Sequence, residues 1–500
     1  MFDLIDNLAH GFSIALSLQN IGLCFAGVMI GTLIGVLPGV GPIATIAMLL
    51  PLTFKLDPTG ALIMLAGIYY GAQYGGSTTA ILVNIPGEAT SVVTTLDGHQ
   101  MAKQGRAGVA LGVAALGSFF AGTVATLVIA ALGVPLTKVA LLFGPAEYFA
   151  LMVAGLAFAV VLARGSLLKA TGMILAGLLL ATIGTDLETG EERMTLGFST
   201  LSDGLDFAVL AMGVFGFAEI LRNLENPEAR DVTRGKIGRL LPNWDDIKRC
   251  IAPVLRGTAI GGALGILPGN GAVLGPFASY TVEKKLAKDP SRFGRGAIEG
   301  VAGPESANNA GAQTSFIPLL TLGIPPNAVM ALMVGAMTIH GIIPGPLVMS
   351  KSPDLFWGMI ASMWVGNLLL LVINLPLIGL WVRLLKVPYR LMFPAIMVFC
   401  CIGIYSINNS PQDVLFTAFF GFVGYVLYKF GFEPAPLLLG YVLGRLMEEK
   451  LRQAMILARG DFMTFFYNPI AAGMLAVALI VVIIAVLPSV SKGRDQVFTE

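Results

Sequence analysis

The sequence predicts an all-α, polytopic membrane protein with about 11–12 transmembrane helices and two re-entrant helical hairpins in an inverted-topology repeat. Hydrophobic residues make up 56% of the chain and charged residues only 12%, whereas roughly 25% of a typical soluble protein is charged. Apolar runs of about 20 residues, the length of a bilayer-spanning helix, recur along the chain. A Leu-Pro-Gly motif interrupts one such run in each half.

We divide the chain into five parts from its hydropathy and charge. They are an interfacial N-terminal helix at 1–19, a first transmembrane repeat at 20–221, a cytoplasmic linker at 222–256, a second, inverted transmembrane repeat at 257–456, and a C-terminal transmembrane helix with a cytoplasmic tail at 457–500.

The first repeat opens with an apolar segment at 20–54 that is broken by the sequence from Leu37 to Pro42. Proline removes a backbone donor and glycine frees the backbone, so one straight helix is disfavoured and a hairpin is predicted. Residues 84–107 are predicted to form a loop. The predicted spans are 60–83, 108–133, 145–163, 168–184 and 204–221.

The linker is net basic, which places it in the cytoplasm. The apolar segment 257–282 is broken between Leu267 and Gly271 and is followed by another basic loop at 283–295. Basic loops on both sides predict a hairpin that enters and leaves on the cytoplasmic side. Counting back from the tail places loop 84–107 inside, and the acidic loop 185–203 and the N-terminus outside. The later spans are 299–323, 355–382, 388–407, 412–430, 434–450 and 466–488.

An ordered series of matches indicates an internal duplication. Five crossings, an odd number, separate the two predicted hairpins, so the second copy is predicted to be upside down, as in transporters with alternating access. A parallel duplication with an additional helix is the alternative. The matching pairs are Gly35–Pro42 with Gly265–Ala272, Asp57-Pro58 with Asp289-Pro290, Gly71–Gln73 with Gly311–Gln313, and Ile85-Pro86 with Ile324-Pro325.

Two polar, broken stretches at 69–88 and 303–327 predict a transport site between the repeats, because exposed backbone and polar side chains at membrane depth require a covering of protein or a water-filled cavity. Free amides at the hairpin tips attract a carboxylate, and unwound carbonyls attract Na⁺. Simple helix kinks and small-residue helix packing are the alternatives. The predicted substrate- or ion-binding residues are Pro38, Gly39, Gly41, Gly75, Gly76, Ser77, Thr78, Thr79, Asn84, Pro268, Gly269, Asn270, Gly271, Glu305, Ser306, Asn308, Asn309, Gln313, Thr314 and Ser315.

Glu88 and His340 are candidate coupling residues, because an ionisable residue at membrane depth indicates function. A helix-end cap is the alternative for Glu88, and a packing histidine is the alternative for His340.

Several function classes are disfavoured. The sequence has no hydrolase elbow, phosphate loop or HExxH motif, so we predict no enzyme, no catalytic residues and no ATP hydrolysis. The net charge of +1 disfavours a nucleic-acid partner. The four cysteines lack metal-ligand spacing and are expected to be free structural thiols. We expect no cofactor and no metal site other than Na⁺ held by backbone carbonyls.

These features together resemble the large membrane subunit of tripartite tricarboxylate transporters. The resemblance covers nearly the whole chain. Its residues are Gly35–Pro42, Tyr70–Glu88, Gly265–Gly271, Gly303–Asn327, Glu433–Gly444 and Glu448-Glu449.

The resemblance implies a multi-pass subunit of a bacterial inner membrane that takes up a tricarboxylate or related carboxylate. It implies two protein partners, a small membrane subunit and a periplasmic solute-binding protein, with uptake driven by Na⁺ or H⁺. A standalone ion-coupled carboxylate transporter or exporter is the alternative; a membrane-embedded enzyme and a passive channel are rivals that the sequence supports less well.

Overall fold

The computed structural model describes residues 2–37, 41–84, 86–163, 166–186, 189–225, 238–268, 271–384 and 389–486. The chain is an all-α polytopic membrane protein, as predicted. A short antiparallel pair, β1 (Gly184–Thr185) and β2 (Glu192–Arg193), lies in the acidic loop.

The helices of the first half are α1 (Phe2–Ala15), α2 (Leu18–Val36), α3 (Pro42–Thr53), α4 (Pro58–Val83), α5 (Val92–Lys103), α6 (Ala107–Ala140), α7 (Pro145–Leu162), α8 (Leu167–Ala181), α9 (Phe207–Ala211), a π-helix (Met212–Phe217) and α10 (Ala218–Glu225). Those of the second half are α11 (Trp244–Gly265), α12 (Gly271–Leu286), α13 (Glu299–Thr314), α14 (Phe316–Leu322), α15 (Ala328–Ile339), α16 (Val348–Lys351), α17 (Pro353–Asn374), α18 (Ile378–Leu384), α19 (Tyr389–Asn408), α20 (Pro411–Lys429), α21 (Pro434–Leu457), α22 (Thr464–Tyr467) and α23 (Pro469–Val486).

Four of the described helices are long and apolar enough to cross a membrane by length and composition. Other apolar helices, such as α3 and α15, are shorter. The number of spans and the five-part division of the chain therefore stay predictions. The four long helices are α2, α6, α7 and α17.

Both Leu-Pro-Gly motifs fall at breaks between helices. Helix α2 ends at Val36 and α3 starts at Pro42, whose fixed φ suits a first helical position. Helix α11 ends at Gly265 and α12 starts at Gly271. The predicted tip residues Pro38, Gly39, Gly269 and Asn270 lie outside the described residues.

Three elements differ from the prediction. The segment predicted as loop 84–107 contains α5, which is held by buried contacts to other helices. Helix α11 starts inside the predicted linker, because the Asn243 side chain caps it by accepting from the Asp246 amide at 2.7 Å. The predicted span 299–323 is divided at Ser315 into α13 and α14.

Each hairpin packs against its following broken helix through a row of glycines. Gly27, Gly31 and Gly35 of α2 lie directly against backbone carbonyls of α4. Gly257, Gly261 and Gly265 of α11 lie in the same way against backbone carbonyls of α13. Spacing by four residues places the glycines on one helix face and lets the two backbones approach closely. The same packing therefore occurs twice in the chain.

Helices of each half also pack against helices of the other half. Helix α4 packs against α17 of the second half, and α13 of the second half packs against α6 of the first. Helix α21 likewise packs against α8, and α20 packs against the π-helix. Exchange of this kind is typical of two similar units related by a two-fold axis. The orientation of that axis in the membrane stays a prediction.

Contacts between loops join segments that the charge pattern assigns to the same side. Arg106 pairs with Asp246 at 2.6 Å, and both segments are predicted inside. Arg193 pairs with Glu448 at 2.8 Å, and both are predicted to lie at the outer face.

The four cysteines are free thiols. Burial raises the pKa of the Cys250 thiol to about 12, which disfavours the reactive thiolate at neutral pH.

Candidate functional site

The candidate site centres on Glu305, a carboxyl group that is only 1% exposed. Helix α13 supplies Glu305, and the first half supplies its two hydroxyl contacts. Ser77 Oγ of α4 lies 2.5 Å from Glu305 Oε2, and Thr94 Oγ1 of α5 contacts Glu305 Oε1. The predicted polar stretches of the two halves thus meet at this side chain.

The backbone around Glu305 is held by a second polar pair. Asn309 Nδ2 donates to Ser118 Oγ at 2.6 Å and to the Glu305 carbonyl at 3.1 Å. Ser118 belongs to α6 of the first half, so two helices besides α4 fix this turn of α13.

A small cavity of about 20 Å³ adjoins Glu305. Its polar lining includes Tyr74, Ser77, Ser118 and Asn374. The Tyr74 hydroxyl and Asn374 Oδ1 are buried without a hydrogen-bond partner among the described residues. Buried polar groups almost always have partners, so this cavity is suited to a water molecule or to one polar group of a ligand.

Thr79 and Ser315, two predicted binding hydroxyls, contact backbone carbonyls of the hairpins. Thr79 Oγ1 donates to the carbonyl of Val36 at 2.9 Å. Ser315 Oγ lies 3.1 Å from the carbonyl of Gly265. Thr79 contacts the last turn of α2, and Ser315 contacts the last turn of α11. Each hydroxyl therefore links a hairpin to the helix that follows it.

Three further predicted hydroxyls contact carbonyls one turn earlier in their own helices. They are Thr78 with Tyr74 O at 3.3 Å, Ser306 with Ala302 O at 2.8 Å, and Thr314 with Ala310 O at 3.0 Å. This is the usual contact of a buried hydroxyl within a helix.

Helices α4 and α14 end in the same way. Asn84 has φ +61° and Gly323 has φ +74°, and both are left-handed C-caps. Glu88 is the N-cap residue of the 3₁₀ turn Ala89–Ser91 that follows α4, and Asn327 is the N-cap residue of α15. Asn84 is exposed, whereas the chain from Gly323 to Asn327 is buried, so the two breaks differ in access.

A second polar group surrounds Glu88. Glu88 lies close to Glu305 and Asn308. Glu88 Oε1 and both amide atoms of Asn308 are buried without partners among the described residues, as is Gln313 Oε1. Gly75 packs against the Thr32 carbonyl. A Cβ on Gly76 would lie 3.3 Å from Glu88 Cγ, so its missing side chain makes room for Glu88.

The described tip residues lie apart from Glu305. The Gly41 amide donates to Glu219 Oε1 of α10 at 3.2 Å. Pro268 lies against Gly155 of α7, and Gly271 is buried against Leu264. His340, at the end of α15, lies beside Thr53 and Asp57, at the base of the first hairpin and not at its tip.

Sequence reasoning missed Thr94 and Asp97, which lie one turn apart on α5. Asp97 Oδ1 accepts from the amides of Gly294 at 2.9 Å, Gly296 at 2.8 Å and Ala297 at 2.8 Å. Tyr280 donates to Asp97 Oδ2 at 3.0 Å. The i, i+3 spacing of two small polar residues in this segment was the available signal.

No cluster of three or more histidine, cysteine, aspartate or glutamate residues that could hold a metal occurs in the described ranges.

Comparison with known proteins gives one family and two relatives. Residues 21–439 match the model of the tripartite tricarboxylate transporter TctA family. The "uncharacterized 52.8 kDa protein in TAR-I ttuC' 3'region" of Agrobacterium vitis is 61% identical over 500 residues, which is 100% of both chains. The "uncharacterized protein in TAR-II ttuC' 3'region" of the same organism is 64% identical over 240 residues, covering 48% of this chain and 99% of its own. No solved structure matches the chain.

Proposed function

Because this chain belongs to the tripartite tricarboxylate transporter TctA family, we propose that it imports a tricarboxylate or related carboxylate across a bacterial inner membrane, driven by a gradient of Na⁺ or H⁺. The observation that carries the proposal is the buried polar cluster at Glu305, where α4 of the first half and α13 of the second meet beside a small polar cavity of about 20 Å³. A cavity of this size has room for a water molecule.

The substrate carboxylates are proposed to bind at the hairpin tips and at the unpartnered amides. The bond from the Gly41 amide to Glu219 Oε1 supports this assignment, because it places a carboxylate at the N-terminus of α3. Asn308 and Gln313 supply neutral buried polar atoms. Neutral groups hold an anion without a fixed opposite charge, which permits its release. Na⁺, where it is the coupling ion, is assigned to unwound backbone carbonyls near the tips.

Two partners are proposed from family membership: a small membrane subunit and a periplasmic solute-binding protein that delivers the substrate. The outer surface near β1 and β2 would then face the binding protein. A carboxylate transporter working alone remains the alternative, and uptake measured with and without the binding protein separates the two.

Alternating access is proposed to use the duplicated architecture. The glycine-packed hairpins and the reciprocal exchange of helices support an inverted repeat. One hairpin would then control access from the outside and the other from the cytoplasm, through an elevator motion of one bundle against the other.

The test is uptake of radiolabelled citrate into proteoliposomes that contain the chain, the small subunit and the binding protein. Asn308→Ala removes the unpartnered amide and is expected to reduce uptake at least about tenfold, equivalent to ~1.4 kcal/mol. Gln412→Ala, at an exposed position of α20, is the control and should leave uptake unchanged. Equal uptake by both variants would contradict the assignment of the site.

An ionophore for Na⁺ and a protonophore, added separately, identify the driving ion. Accumulation that survives both treatments would contradict ion-coupled uptake.

A further inference from the structure

The contacts of Ser77 carry information about the protonation of Glu305. Ser77 Oγ lies 2.5 Å from Glu305 Oε2 and 3.0 Å from the Gln73 carbonyl oxygen. Both distances are within hydrogen-bonding range. Thr94 Oγ1 contacts the other carboxyl oxygen of Glu305.

The hydrogens at this site can be counted. A serine hydroxyl has one proton to donate, while a backbone carbonyl and an ionised carboxylate only accept. With ionised Glu305, the single Ser77 proton would have to be shared between two acceptors. With protonated Glu305, the acid O–H donates to Ser77 Oγ, the Ser77 O–H donates to Gln73, and Thr94 donates to the second carboxyl oxygen. Every contact then has one hydrogen.

The electrostatic surroundings favour the same neutral acid. In the part of the chain that the structure describes, the arginine and lysine ion pairs go to other acids: Arg256 pairs with Glu283 and Arg249 pairs with Glu299. A buried carboxylate without a cation is strongly disfavoured. Glu88, a buried acid close to Glu305, would repel a charge on Glu305.

The other ionisable groups that face α13 supply no positive charge to Glu305. Helix α4 presents Tyr74, α5 presents Asp97 near Gly300, and α12 presents Glu283 beside Gly303, where Arg256 of α11 already neutralises it. Helix α6 presents the hydroxyl of Ser118.

Asp97 is an internal contrast. It is as buried as Glu305, yet all four of its contacts are donors: three backbone amides and the Tyr280 hydroxyl. That arrangement satisfies a carboxylate. The contacts of Glu305 include a hydroxyl that already faces an acceptor, and they are complete only for the acid.

We propose that Glu305 is the residue that binds the coupling proton, and that it holds this proton in the conformation seen here. The proton enters from the outside and leaves Glu305 Oε2 for water in the adjoining cavity, from which it passes to the cytoplasm. The Ser77 hydroxyl then turns from Gln73 to the newly ionised carboxylate. The assignment of this proton to coupling rests on the proposed transport function; the protonated state does not.

The first experiment tests the protonated state without any substrate. Infrared difference spectra are recorded on the protein in lipid nanodiscs at neutral pH, where a protonated carboxyl has a distinct C=O stretch. Glu305→Gln should remove this band, and Glu88→Gln should keep it. Asp289→Asn is the control, because Asp289 is an exposed carboxylate whose pKa is lowered by hydrogen bonds from Ser291. A band whose shape and intensity in Glu305→Gln equal those of the wild type overturns the proposal.

A second variant tests the same hydrogen bond in case Glu305→Gln does not fold. Ser77→Ala leaves the acid in place but removes its hydrogen-bond acceptor. The C=O band should persist and shift to the higher frequency of a more weakly bonded acid. An unshifted band would contradict the proposed bond from Glu305 to Ser77.

The last experiment tests coupling with citrate as the probe, in proteoliposomes that contain both partners. Glu305→Gln should lose accumulation driven by a pH gradient, by about tenfold or more, whereas Gln412→Ala, at an exposed position of α20, should retain it. Accumulation by the wild type that follows Na⁺ alone, or by Glu305→Gln that still follows the pH gradient, overturns proton coupling at this residue. If the wild type carries no citrate, citrate transport fails as a function while the infrared result still decides the protonated state.

Discussion

Asp97 is a buried residue through which the first half of the chain holds the second. Its carboxylate gathers the amides of Gly294, Gly296 and Ala297, the loop that leads into α13. Gly294 and Gly296 have positive φ values of +81° and +99°, which turn successive amides towards one anion, as in a backbone nest. Thr94, one turn earlier, contacts Glu305. Helix α5 therefore fixes both the start of α13 and its central acid.

We expect Asp97→Asn to loosen this loop, because the substitution removes the charge that three amides and a tyrosine hydroxyl bind. Hydrogen bonds to charged groups contribute about 1.5–3 kcal/mol, so amide exchange in the loop should become at least about tenfold faster. Hydrogen–deuterium exchange with mass spectrometry, read over 293–298 and 299–314, measures the effect.

The control for Asp97→Asn is Asp289→Asn. Asp289 lies in the same loop between α12 and α13. It accepts hydrogen bonds from Ser291, but it is exposed. It should change exchange only at its own turn. Unchanged protection at 294–297 in Asp97→Asn would show that the carboxylate does not hold the loop.

Prediction from the sequence was limited most by partners that are distant in the chain. Glu305 and Ser77 could be predicted as site residues, because small polar groups and an acid stand out inside apolar spans. Thr94 and Asp97 were missed, because their i, i+3 spacing in a weakly apolar segment does not indicate that their buried partners lie at 280, 294–297 and 305. Conversely, Thr79 and Ser315 fitted a binding pattern, but their contacts are to hairpin carbonyls.

The two glycine rows are the packing feature that the hairpins share. A methyl group on Gly261 would overlap the backbone of Ala307, whereas one on Gly262 would lie 3.8 Å from the Thr314 side chain. Neighbouring glycines of one helix thus differ only in what they face.

We expect Gly261→Ala to destabilise the protein by roughly 1–3 kcal/mol, as overpacking does. Gly262→Ala should be neutral or stabilising by up to ~1 kcal/mol, because alanine favours the helix. Thermal unfolding in detergent, followed by tryptophan fluorescence, compares the two. Equal midpoints for both variants would mean that α11 and α13 do not require close backbone approach.

At the level of elements, breaks were easier to predict than added helices. The Leu-Pro-Gly motifs remove a donor and relax the backbone locally, so the ends of α2 and α11 follow from the residues themselves. Helix α5 and the π-helix at Met212–Phe217 depend on tertiary packing, which local propensity does not contain.

For the whole molecule, the contacts between loops join the loops into two groups, one for each predicted side of the membrane. Gln104 donates to the Arg295 carbonyl at 2.8 Å on the face predicted to be cytoplasmic. Asn468 lies 2.5 Å from Glu147, between segments that are predicted to lie outside.

We expect a cysteine at Glu191 to react with a membrane-impermeant maleimide from outside intact spheroplasts, and a cysteine at Lys288 to react only after permeabilisation. Both positions are exposed, so access and not burial decides the reaction. The background carries serine or alanine at the four native cysteines. Labelling of both positions from the same side would contradict the inverted arrangement.

The exchange of helices between the halves has a consequence for biosynthesis. Helices α4 and α6 are made early, but their partners α17 and α13 belong to the second half. The first half therefore leaves the ribosome with Ser77 and Thr94 facing no Glu305, and these contacts between the halves form only after the second half is translated. A duplicated chain of this kind matures as one unit, and its earliest helices need lipid or a membrane chaperone as temporary neighbours.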